Sequence, residues 1–255
     1  MVKALFADKP FNETYRLGAV NSINWARILA QTVYYFLAYF HVRSQIARPD
    51  HAELQFVVPT GNFGDVLAGY YAKRMGLPMG KLVVATNSND ILARFWRSGR
   101  YERVADSGSA LVSGDGDADD GGVRATWSPA MDILVSSNFE RLLWYLAYET
   151  SDAASDGERR ASAGATVDGW MKSVKSNGRV EVPVEVLELA RRNFLAERVS
   201  DDQVCTACVY VRPLTPTILQ TLETIKQYYI GTPSYIADPH TAVGLSAARI
   251  VSTSK

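Results

Sequence analysis

A glycine-bracketed turn at residues 59–65 is the part of this sequence best suited to chemistry. It reads Pro-Thr-Gly-Asn-Phe-Gly-Asp and lies between an apolar, strand-like segment and an apolar, helix-like one. Backbone N–H groups converge in such a turn at the positive end of the following helix, an arrangement that binds phosphate. Thr60 and Asn62 add side-chain donors, and Phe63 offers a surface on which a planar ligand could stack. The segment therefore predicts an anion-binding turn.

The same spacing also occurs where an α/β unit turns a tight corner without any ligand. The turn lacks the third glycine of a dinucleotide fingerprint, and no Gly-Lys-Ser/Thr follows it for a nucleoside triphosphate. Both interpretations, a structural corner and a phosphate site, remain open on the spacing alone.

Polar residues precede a long apolar helix near the start of the chain. Apolar residues fall on every face of the segment 25–40, which predicts a helix buried in the middle of a domain. Asn21, Ser22 and Asn24 lie at or before its first turn, and Arg27 follows one turn later. These residues are interpreted either as a helix cap or as ligand-binding groups.

Alternating strand-like and helix-like segments predict an α/β fold. Residues 81–86 resemble a buried strand and residues 90–96 the helix after it, so this strand and the one before the turn would be parallel. The polar residues 87–89 would then lie at the carboxyl edge of the sheet, where open parallel sheets bind ligands. A further helix is predicted from Val182 to Glu197.

Two segments rich in small and polar residues, 105–125 and 150–166, are interpreted as flexible insertions. The first alternates Asp and Gly but lacks the closing Glu of a calcium-binding EF-hand loop.

Composition argues against several function classes. The 255 residues include 27 basic and 27 acidic side chains, so no general attraction to nucleic acid or to an anionic membrane is expected. The longest apolar run is shorter than a membrane span, and the three histidines share no metal-ligand spacing. Cys205 and Cys208 form a single C-x-x-C without the second half of a zinc site. No metal, nucleic-acid or membrane site is predicted.

Several strings together resemble the motifs of fungal-type threonine synthases. They occur in the order of that family and extend over most of the chain: residues 18–27, 59–65, 128–133 with 136–141, and 238–244.

The resemblance implies a pyridoxal-phosphate enzyme of fold type II, with a mostly parallel sheet flanked by helices as in the β subunit of tryptophan synthase. It implies a cytoplasmic lyase of threonine biosynthesis that converts O-phospho-L-homoserine and water into L-threonine and phosphate. Gly61, Asn62, Phe63, Gly64 and Asp65 would form the cup for the cofactor phosphate. The residues implied near the substrate are Asn21, Ser22, Asn24 and Arg27, and residues 238–241 would approach from another loop.

The lysine that forms the Schiff base with the cofactor in this family has no counterpart in the sequence, so no catalytic residue is assigned. Residues 1–255 are expected to be an incomplete catalytic domain that is inactive alone. The alternatives are a non-catalytic homologue that binds a phosphate-bearing ligand or a partner, and another fold-type-II pyridoxal-phosphate lyase.

Residues 204–220 interrupt a pattern that otherwise predicts one helix. A valine codon begins with GT and a glutamine codon can end in AG, so this segment is interpreted as an in-frame retained intron.

Overall fold

A computed structural model describes residues 5, 8–18, 21–46, 53–103, 122–199, 225–231 and 234–253. The helices are α1 Lys9–Tyr15, α2 Trp25–Gln45, α3 Gly64–Arg74, α4 Ile91–Ser98, α5 Phe139–Glu149, α6 Asp156–Asn177, α7 Val184–Asn193 and α8 Pro239–Thr253. The strands are β1 Val57–Pro59, β2 Leu82–Thr86, β3 Arg100–Glu102, β4 Arg179–Glu181 and β5 Phe194–Arg198. A short 3₁₀ turn spans Pro129–Met131.

A parallel sheet with strand order β1-β2-β5 forms the centre of the fold. All five residues of β2 are buried, as expected for a central strand covered by helices on both faces. Strands β3 and β4 form a separate antiparallel pair. The predicted α/β class with a parallel sheet is confirmed.

The register brings two polar segments to the same edge of the sheet. Pro59 at the end of β1 pairs with Ala85 near the end of β2, and the amide of Thr60 donates to the carbonyl oxygen of Ala85 at 2.8 Å. Residues 60–64 and 87–89 therefore both follow the carboxyl ends of parallel strands, where such sheets form binding crevices.

Helix α2 is apolar all round, but only one of its faces is buried. Tyr35 on this face packs so closely on α3 that a Cβ at Gly69 would lie 2.6 Å from the tyrosine ring. A second face is exposed along residues Trp25, Leu29, Val33, Leu37 and Phe40. The predicted helix exists, whereas its predicted burial on every face is corrected, since no described element covers the second face.

Residues 150–166 do not form the predicted flexible insertion, because α6 begins within them at Asp156. Ser155 and Glu158 form a reciprocal capping box: Ser155 Oγ accepts from the amide of Glu158, whose carboxylate accepts from the amide of Ser155. Ala163 and Val167, one turn apart, are buried. Capping and packing therefore outweigh the low helix propensity of a glycine- and serine-rich stretch.

The helix predicted over 182–197 is shorter and is followed by a strand. Helix α7 ends at Asn193, and residues 194–198 become β5, whose Phe194 pairs with Leu82. The strand's Leu, Ala, Glu and Arg favour helix by intrinsic propensity, so pairing with β2 overrides the local preference.

The remaining segment predictions fall largely outside the described residues. This holds for the possible intron at 204–220, for the C-x-x-C pair, and for all of the 105–125 insertion except residues 122–125. Within the described ranges, no helix combines the length and hydropathy needed to cross a membrane.

Candidate phosphate site

The turn after β1 places a group of backbone donors at the start of α3. Helix α3 begins at Gly64, and Phe63 before it adopts a left-handed conformation with φ 62°. Such strain in a non-glycine residue is typical of functional sites. Among the described residues, the amides of Gly61, Asn62, Phe63 and Gly64 have no hydrogen-bond acceptor. The turn therefore presents unpaired N–H groups at the positive end of a helix dipole.

The two glycines of the turn have different steric surroundings. A Cβ at Gly61 would lie 2.3 Å from the carbonyl oxygen of Ala130, so only glycine fits beneath that loop. A Cβ at Gly64 would lie 3.5 Å from both the Ser22 carbonyl oxygen and Asn138 Nδ2, which is ordinary contact. Gly61 is thus required by packing, whereas the gap beside Gly64 has room for a further atom.

The side chain of Phe63 does not face a ligand. It is 1% exposed and packs against Trp96, Phe139 and Phe194 in the core. The expectation that its ring offers a stacking surface is therefore wrong. Phe63 can contribute only its amide to the turn, and its ring anchors the turn to the core.

Asp65 lies in the first turn of α3 with its side chain exposed. Its carbonyl oxygen accepts a 2.9 Å hydrogen bond from Tyr35 Oη, and burial raises the pKa of Tyr35. The tyrosine remains neutral at physiological pH and fixes the start of α3 against α2.

The loop at residues 136–138 donates hydrogen bonds to the carbonyl and side-chain oxygens of the turn. Ser136 Oγ donates to the Gly61 carbonyl oxygen at 2.8 Å, and Ser137 Oγ donates to Asn62 Oδ1 at 3.1 Å. The backbone amide and Nδ2 of Asn138 both donate to the Asn62 carbonyl oxygen, at 3.1 and 2.8 Å. The loop thus binds the carbonyl groups of Gly61 and Asn62 and leaves their amides unpaired among the described residues.

The same loop fastens the start of α2 beside the turn. Asn138 Nδ2 also donates to the Ser22 carbonyl oxygen at 2.8 Å. Asn24 Oδ1 accepts from the amide of Ala26, as predicted for a helix cap, and Asn21 Oδ1 accepts from the amide of Ile23. The structure thus brings Ser22 next to the turn at residues 61–64.

Arg27, the charged member of this group, is the third residue of α2, in its first turn, and is exposed. Its side chain forms no ion pair among the described residues.

The residues at the start of α8 approach from the other side. Asp238 Oδ1 accepts from the amides of His240 and Thr241, and its pKa is lowered chiefly by the hydrogen bond from Thr241. His240 Nε2 accepts from the amide of Ala130 at 3.2 Å, so the imidazole nitrogen is unprotonated in this contact. Residues 238–241 therefore contact the loop that covers Gly61.

A buried polar network lies beyond the end of β2. Asn87 is 3% exposed, and its Nδ2 lies 2.8–2.9 Å from Thr126 Oγ1, Ser128 Oγ and Asp132 Oδ1. The sequence placed Asn87 at this edge, but gave no role to Ser136, Asn138 or Asp132. The only sequence signal was their membership of the family-like strings, because the contacts that tie them to the turn or to the end of β2 join residues more than 40 positions apart along the chain.

Curated relatives align with nearly the whole chain. No family model matches. The sequence is 50% identical to the threonine synthase of Schizosaccharomyces pombe over 245 residues, 96% of this chain and 42% of that protein. It is 47% identical to the threonine synthase of Saccharomyces cerevisiae over 250 residues, 97% of this chain and 41% of the relative. The chain thus spans about two fifths of the length of the curated relatives it matches.

Solved structures give the same result. The crystal structure of yeast threonine synthase superposes with a TM-score of 0.75 at 45% identity, over 98% of this chain and 42% of that one. A pyridoxal-phosphate-bound threonine synthase from Brucella melitensis gives 0.71 at 38% identity, over the same shares.

Proposed function

Because the chain belongs to the threonine synthase family, we propose that it serves in the conversion of O-phospho-L-homoserine and water into L-threonine and phosphate. The observation that carries the proposal is the phosphate turn at residues 61–64, with its free amides at the start of α3. The proposed location is the cytoplasm, without a nucleic-acid or membrane partner.

The donor set of the turn fits the phosphate group of pyridoxal phosphate. Amides of Gly61, Asn62, Phe63 and Gly64 would bind its oxygens, and the α3 dipole would stabilise its charge. Asp65 follows in the first turn, so its own amide can join this set. When bound, the cofactor supplies an electron sink for the carbon atoms of the amino-acid substrate. The part of this chain is to bind and orient the cofactor.

The start of α2 is proposed to bind the substrate. Ser22 lies beside Gly64, and Asn138 ties both segments together, so the two regions keep a fixed separation. Asn21 and Asn24 would contribute polar groups, and Arg27 a guanidinium suited to a phosphate or carboxylate. These roles rest on position and on the family resemblance.

A titration of the 255-residue chain with pyridoxal phosphate, and separately with pyridoxal, tests the cofactor site. The phosphate ester should bind at least about tenfold more tightly, equivalent to about 1.4 kcal/mol. Gly64→Asp should abolish that preference, since a carboxylate at the start of α3 suits the helix dipole but repels the ligand phosphate. Gly157→Asp, in the first turn of α6 where a Cβ meets nothing within 4 Å, is the matched control. Equal affinities for the two aldehydes in the wild-type chain would overturn the cofactor assignment.

A second titration addresses the substrate. O-phospho-L-homoserine should bind more tightly than L-homoserine, and Arg27→Gln should weaken only the phosphorylated compound if the guanidinium binds the phosphate, or both compounds if it binds the shared carboxylate. Arg192→Gln, an exposed arginine on α7, is the control. An unchanged affinity in the Arg27 variant would remove that residue from the substrate site. Without the Schiff-base lysine, the chain alone should release no phosphate from this substrate.

A further inference from the structure

We infer that Asp132 is a positioning residue that sets the geometry of the phosphate turn from a distance; this inference rests on the proposed function. Its carboxylate is half-buried and touches no part of the turn itself. Oδ1 accepts hydrogen bonds from Asn87 Nδ2 at 2.9 Å, Asn89 Nδ2 at 2.9 Å and Thr126 Oγ1 at 2.7 Å, and Oδ2 accepts from the Thr126 amide at 2.8 Å.

These hydrogen bonds connect the sheet to the loop above the turn. Asn87 and Asn89 directly follow β2, whereas residues 126–132 form the loop whose 3₁₀ segment crosses Gly61. Asp132 connects the loop to the end of β2, because its carboxylate accepts hydrogen bonds from residues of both segments.

The loop in turn determines where the phosphate turn can lie. The Ala130 carbonyl oxygen is so close that Gly61 could not carry a side chain, and Met131 between Ala130 and Asp132 is 2% exposed. The Ala130 amide donates to His240 Nε2, which fixes the other side of the loop to the start of α8. Any displacement of the loop would therefore be passed directly to Gly61.

Only an acceptor with two oxygens satisfies this network. An ionised carboxylate has no hydrogen to donate, which matches a site where every neighbour donates. Asp132→Asn keeps the shape but directs an NH₂ group at donors, either at the Thr126 amide or at the asparagine side chains. The substitution should loosen the loop without creating a cavity.

The test measures ligand affinity together with local hydrogen exchange in the 255-residue chain. Asp132→Asn should lower pyridoxal-phosphate affinity about tenfold or more, while pyridoxal affinity changes little. Amide exchange should accelerate in peptides covering 126–132 and 136–138, whose amides bond within the loop or to the turn, and stay unchanged in the one covering β2. Asp168→Asn, on the exposed face of α6, is the isosteric control and should change neither quantity.

The outcomes separate the inference from the proposed function. Failure of the wild-type chain to prefer pyridoxal phosphate over pyridoxal would overturn the proposed function. If the wild type shows the preference and Asp132→Asn retains it, the positioning role is wrong. Faster exchange throughout the variant, including β2, would also contradict that role, because it would indicate general destabilisation.

Discussion

At the residue scale, Gly61 has the tighter steric surroundings of the two glycines in the turn at residues 61–64. In Gly61→Ala, the new methyl group would overlap the Ala130 carbonyl oxygen, so the loop or the turn must move. We expect a loss of about 1–3 kcal/mol in the free energy of unfolding, the usual cost of overpacking. Gly164→Ala, at an exposed position inside α6, should instead raise stability by about 0.5–1 kcal/mol. Urea denaturation of both variants measures the two changes in stability. An equal change in both would contradict the close contact between Gly61 and the Ala130 carbonyl oxygen.

Tyr101 supports the position of the same turn indirectly, through Ser136. Its Oη accepts from the Ser136 amide at 2.7 Å, and Ser136 Oγ donates to the Gly61 carbonyl oxygen. Tyr101→Phe would leave that buried amide unpaired, which should cost about 1–3 kcal/mol near neutral pH.

The cost of Tyr101→Phe should depend on pH. Burial raises the pKa of Tyr101, so its contribution is complete below about pH 10, the unfolded value, and is lost as the pH rises toward the folded pKa. The stability difference between wild type and variant should therefore shrink in alkali. Denaturation curves at several alkaline pH values measure it, and a constant difference would contradict the role of the neutral phenol.

At the scale of elements, the stability of α8 depends on Asp238, the residue directly before the helix. Asp238→Ala removes the acceptor for the amides of His240 and Thr241 and should cost about 0.5–2 kcal/mol at neutral pH, toward the low end because the side chain is exposed. The pKa of Asp238 is lowered in the fold, so this stabilisation is present above the unfolded value of about 3.9 and is lost as the pH falls through the folded pKa. Urea denaturation from pH 7 downward tests this pH dependence, with Asp152→Ala as an exposed control. A stability difference between wild type and Asp238→Ala that grows in acid would refute the prediction.

Those elements whose signals are local could be predicted from the sequence. The strand, turn and helix around Gly61 follow from a short apolar run, two glycines and a second apolar run. The start of α2 follows from Asn24, which caps the helix as expected. Each of these features is determined by residues a few positions apart.

The features that were missed depend on distant partners. Residues 194–198 form a strand because β2 lies beside them, and Phe63 faces the core because Trp96, Phe139 and Phe194 surround it. The role of Asp132 requires Asn87, 45 positions earlier, to reach the same loop. No local pattern contains this information, although the family-like strings did include Phe63 and Asp132.

At the scale of the whole molecule, the exposed face of α2 is the most unusual surface. Leu37 is 66% exposed and Phe40 62%, and they continue a stripe that runs along the helix from Trp25. A contiguous apolar face of this kind marks an interaction surface or causes aggregation. The buried face, which includes Tyr35, packs on α3, so the helix remains anchored whether or not the stripe is covered.

The 255-residue chain should therefore self-associate through this stripe. Leu37→Lys should reduce concentration-dependent light scattering, because a charged group interrupts the stripe at an exposed position, and it should leave the unfolding midpoint nearly unchanged. Met75→Lys, at an equally exposed apolar residue directly after α3, is the matched control. Scattering that falls equally in both variants would show a general effect of charge, whereas a lower unfolding midpoint in Leu37→Lys would show that the residue supports the fold. A selective fall in scattering at position 37 assigns the self-association to α2.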